Sequence, residues 1–89
     1  MAQAHVDPDE MEDFTNHLQQ FMDDLNEMVR SLNGHFRALG DTWDDAKYLE
    51  FEEVLKELEG FLKHFDEQAE EQVRWLRRKA EEARAFLGC

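Results

Sequence analysis

Leu39-Gly40-Asp41-Thr42-Trp43-Asp44-Asp45-Ala46, midway along an 89-residue chain, is where a pattern of apolar residues stops and starts again. Before it, Met11, Phe14, Leu18, Phe21, Leu25, Met28, Leu32 and Leu39 repeat at spacings of three and four, with only His35 interrupting the row. After it, Tyr48, Phe51, Leu55, Leu58, Leu62, Phe65 and Ala69 resume that spacing. One extra step of four then leads to Val73, Leu76, Ala80, Ala83 and Leu87. A period kept up this long belongs to helices packed as in coiled coils, and the extra four is a stutter that relaxes the supercoil. Gly40 is placed to end the first helix in the left-handed conformation. Thr42 is placed to cap the second, its hydroxyl accepting from a backbone N–H three residues on. So short a gap folds the helices back on each other. The fold expected is an all-α antiparallel two-helix hairpin in one domain spanning 1–89, with helices over about 8–39 and about 43–87 and a turn over about 40–42.

Outward from the turn, the ends carry their own signals. Asp7 suits the N-cap, Pro8 the first helical position, and Asp9 and Glu10 the positive end of the helix dipole. Residues 1–43 hold nine acids against two bases, and residues 44–73 eleven against three. The last sixteen residues reverse sign, with Arg74, Arg77, Arg78, Lys79 and Arg84 against Glu81 and Glu82. Folding about residue 41 brings Arg74, Arg77 and Arg78 beside Asp7, Asp9, Glu10 and Asp13, which favours this register.

The hairpin has more apolar surface than it can bury. With the two seams facing each other, a second row is left partly exposed: Met22, Val29 and Phe36 on the first helix, Val54, Phe61 and Trp75 on the second. Covering six such side chains on two copies favours association. The expectation is therefore a hairpin that dimerises into a four-helix bundle, with Trp75 as an aromatic anchor.

Composition narrows the functions. A formal charge of −12, with a pI near 4.5, repels DNA, RNA and anionic lipid. No apolar run reaches the roughly 18 to 20 residues of a membrane span, and Met1-Ala-Gln-Ala-His-Val6 lacks the basic and apolar regions of a signal peptide. The sole Cys, Cys89, permits no intrachain disulfide. The residues three before His17, His35 and His64 are Phe14, Leu32 and Phe61, where a di-iron bundle needs Glu. No zinc-protease, phosphate-loop or nucleophile-elbow motif is present. His35 reads as a hydrogen-bonded residue at the core edge, and Glu52-Glu53, Asp66-Glu67 and Glu70-Glu71 as solvated faces. The chain is expected to be no enzyme and to need no cofactor. Two alternatives to a pairing module stand: an acidic inhibitor that mimics nucleic acid, and a coiled-coil subunit of a larger assembly.

The turn also resembles the loop of the WXG proteins, small helical hairpins associated with type VII secretion. The resemblance rests on Leu39 to Ala46 with Trp43 at its centre, on the opening Val6-Asp-Pro-Asp-Glu-Met11, and on Phe51 eight residues after Trp43. It covers nearly the whole chain. It implies a partner that is a second copy or a paralogous hairpin, with a secretion ATPase or a larger effector beyond it. It also implies synthesis in the cytoplasm and export without a cleaved signal peptide. Trp43 is then either a staple closing the hairpin or a surface offered to the export machinery. Two departures stand out. Asp45 occupies the third motif position in place of Gly, and no aromatic followed four residues later by an acid lies beyond the second helix. Tyr48-Leu-Glu-Phe-Glu52 has those letters, but at the start of the second helix. Either a partner supplies the export signal or the chain is not exported that way.

Overall fold

The computed structural model describes residues 6–87. Two helices account for nearly all of them, α1 over Pro8–Leu39 and α2 over Ala46–Leu87, and no strand is present among the described residues. They lie antiparallel in a rod of 65 × 24 × 15 Å. His5 and Cys89 fall outside the described residues.

The start of α1 follows from its first letters. One Asp7 carboxylate oxygen accepts from the N–H groups of Asp9 (2.9 Å) and Glu10 (3.4 Å), satisfying two donors that have no intrahelical partner. The far end differs from the expected left-handed stop. Gly40 stays right-handed, with φ −61° and ψ −17°. The chain then winds through tight turns in which the Thr42 and Trp43 N–H groups both donate to the Leu39 carbonyl. The cap of α2 also lies further along than expected. Asp45 Oδ1 accepts from the N–H groups of Lys47 (2.9 Å) and Tyr48 (3.2 Å), while the Thr42 hydroxyl donates backward to Leu39. The second helix accordingly opens at Ala46. A carboxylate outcompetes a hydroxyl as a cap, and Thr42 is occupied by the end of α1.

The line of contact between the helices is rotated from the expected seam. On α1 it runs through Thr15, Met22, Val29 and Phe36, seven residues apart, with Thr15 and Met22 fully buried. On α2 it runs through Leu55, Leu62, Ala69, Val73, Leu76 and Ala80. The stutter carries it past Ala69, and Met22, Ala69 and Val73 form its centre, flanked by Leu18 and Phe65. Met22, Val29 and Phe36 are thus inside the hairpin and not on its flank. Phe14, Phe21 and Met28, expected inside, are about half exposed. The reason is steric. Two helices alone touch along a single line, and small side chains such as Thr15, Ala69 and Ala80 let the backbones approach there. Thr15 meets the cost of burying a hydroxyl by donating to the Met11 carbonyl at 2.7 Å.

Candidate functional site

Because the helices are antiparallel, turning the same way from the shared contact line on each leads to the same side of the rod. On that side α1 presents Phe14, Phe21, Met28 and Leu32, and α2 presents Phe51, Val54, Leu58 and Phe61. The rings of Phe21 and Phe65 meet edge-on at 6.4 Å, which closes the two rows into one surface. Phe61 is 71 % exposed and Phe14 58 %. His35, expected at the core edge, is exposed on this side.

The opposite side is polar. Asn33 donates to Glu59 across the helices, Arg77 to Asn16, and Arg84 to Asp9 and Glu12. Arg84, not Arg74 or Arg78, is the cation that ties the end of α2 to the acidic first turn of α1, at 2.9 Å from Asp9 and 3.2 Å from Glu12. Hydrogen bonds to Asp9 and then Glu12 raise its pKa further above the ordinary arginine value. That stabilisation is complete below the ordinary value and is lost only above it, so Arg84 adds no pH dependence near neutrality.

The turn end is closed by aromatic rings. Phe36 and Tyr48 stack at 4.4 Å with an interplanar angle of 8°, Phe51 lies 6.1 Å from Phe36, and Trp43 meets Tyr48 edge-on at 5.6 Å. Trp43 is half-buried. Asp45, the departure from the motif, is the helix cap. Val54 and Phe61 are on the apolar side, and Trp75 lies further round α2, 48 % exposed. Among the described residues no group of His, Cys, Asp and Glu is placed to hold a metal ion, and no helix is long and apolar enough to cross a membrane.

The exposed apolar rows were hidden from sequence reasoning because they share the spacing of the buried one. One signal would have separated them. Thr15, Ala69 and Ala80 are the small residues of the pattern, and small residues mark where helices come closest.

The fold is thus an antiparallel helical hairpin with one apolar side, one polar side and an aromatic-capped turn. The family of proteins of 100 residues with WXG matches residues 3–85, and the chain belongs to that family, WXG100. The family comprises small helical proteins, not known as enzymes, that type VII systems secrete without signal peptides. No curated protein matches the chain.

Proposed function

We propose that this chain is a non-enzymatic pairing module, whose apolar side packs on the same side of a second hairpin, its own copy or a paralogue, to complete a four-helix bundle. The observation that carries this reading is the concentration of exposed apolar residues on one side, Phe14, Phe21, Met28 and Leu32 of α1 beside Val54, Leu58 and Phe61 of α2. The accessible surface of 7282 Å² also exceeds the roughly 5,500 Å² of a globular monomer of this mass, by more than the roughly 800 Å² that one partner buries in an interface of standard size. A polar back prevents a second hairpin from adding there, so the assembly closes at two hairpins. In the type VII setting of the family, the pair is the exported unit or the export partner of a larger effector. The exposed part of Trp43 at the turn end is the surface a secretion ATPase meets.

Sedimentation velocity tests the pairing. A dimer is expected at micromolar concentration, and Phe61→Asp should give a monomer that remains helical. A wild-type chain still monomeric at high micromolar concentration overturns pairing with itself. Failure to recover a second small hairpin on purification from the native host then overturns the paralogue. Loss of the chain from culture supernatant when the secretion ATPase is deleted tests the export role.

A further inference from the structure

The acidic rod has one stretch of opposite sign. Arg74, Arg77, Arg78 and Lys79 fall within six residues of α2 with no acid among them. Arg77 reaches Asn16 at 3.5 Å. Arg74, Arg78 and Lys79 form no ion pair among the described residues, in a chain with 22 carboxylates. Glu71, Arg74, Trp75 and Arg78 are spaced i, i+3, i+4, i+7 and so make one stripe along the helix. With Gln72 they line an open recess of about 560 Å³.

The two arginines of this stripe are turned away from both surfaces already described. At the same level α2 directs Ala69, Val73, Leu76 and Ala80 toward α1, and the stripe lies about half a turn from them. The apolar side, running through Leu58, Phe61 and Phe65, is about a third of a turn from the middle of the stripe, and Trp75 is the edge of the stripe nearest to it. A second hairpin covering that side leaves Arg74 and Arg78 open. Arg74 and Arg78 therefore keep their exposure with or without pairing, and the inference that follows rests on them.

We propose that the stripe docks an acidic peptide segment of a further protein. Guanidinium groups bind carboxylates through paired hydrogen bonds, and an indole between them gives a flat apolar platform. Arg74 and Arg78 are one turn apart, about 6 Å along the axis, which is the spacing of alternate residues in an extended chain. Two acids separated by one residue thus reach both arginines, and a neighbouring apolar side chain rests on Trp75. Glu71 rims the recess and repels a third acid. A long polyanion meets the −12 charge of the rod beyond the stripe, whereas a short segment meets only its cations.

The test titrates the full-length, ¹⁵N-labelled chain with a capped peptide of sequence Gly-Leu-Asp-Ser-Asp-Leu-Gly and with its Asn-for-Asp counterpart. The acidic peptide should move the indole N–H resonance of Trp75 and leave that of Trp43 in place, and it should bind more weakly as salt rises from about 50 to about 200 mM. The double variant Arg74→Gln/Arg78→Gln, which touches no contact between the helices, should weaken binding about tenfold or more at unchanged melting temperature and association state. Equal binding of the Asn peptide, an unmoved Trp75 at millimolar peptide, or undiminished binding by the double variant overturns the proposal. A Trp75 shift with phosphatidylglycerol vesicles and none with the peptide overturns it in favour of a membrane surface.

Discussion

Gly40 lies under the ring of Tyr48, and a Cβ there would stand 2.6 Å from the Tyr48 Oη and 3.0 Å from Cζ. Its role is close approach and not a left-handed turn, since its φ is −61°. Gly40→Ala should force Tyr48 off Phe36 and cost about 1 to 3 kcal/mol by thermal melting. Adding Tyr48→Phe, which removes the nearer atom, should recover part of that loss, and an undisturbed melt for Gly40→Ala would refute the contact. Trp43 is half-buried against the same ring, so Trp43→Ala should cost about half the 3 to 5 kcal/mol of a fully buried aromatic and lower the melting temperature by roughly 10 °C. Asp45→Ala removes the cap of α2 and should cost about 1 kcal/mol. Asp45→Gly, the residue the family motif has at this place, should cost only a few tenths.

On α1, Met22 and Met28 are the same residue type six positions apart, yet one is 2 % exposed and the other 58 %. Met22→Ala opens a hole at the centre of the hairpin and should cost about 2 to 4 kcal/mol. Met28→Ala should change the melting of the dilute single hairpin by less than about 0.5 kcal/mol and weaken only its association. Equal effects in both assays would mean that the contact line between the helices runs elsewhere. The two rows share one period, so heptad spacing alone cannot rank them. The ranking comes from the size of the residues opposite, with Met22 against Ala69 and Val73. On α2 the contact line kept to Leu55, Leu62, Ala69, Val73, Leu76 and Ala80 of the expected seam, whereas Phe51 and Leu58 of that seam turned outward.

For the molecule as a whole, charge and apolar surface act in opposition. Two copies each carrying −12 repel, so self-pairing should tighten as salt is added, and the melting temperature should rise with protein concentration. A melting temperature independent of concentration across the micromolar range would deny the pairing. Arg84→Ala should show the reverse salt trend, a small loss of stability at low salt that disappears at high salt, because its pairs with Asp9 and Glu12 are exposed. The sequence by itself determined that the chain forms two long helices around a short turn, that Asp7 caps the first, and that Trp43 marks the family. These features rest on local spacing and capping, which a linear string records. Only the tertiary structure decided which apolar row faces inward, that Asp45 and not Thr42 caps α2, and that Arg84 holds the open end. Each of those depends on which side chains fit across a gap between two helices, and competition for that space is settled by packing rather than by period.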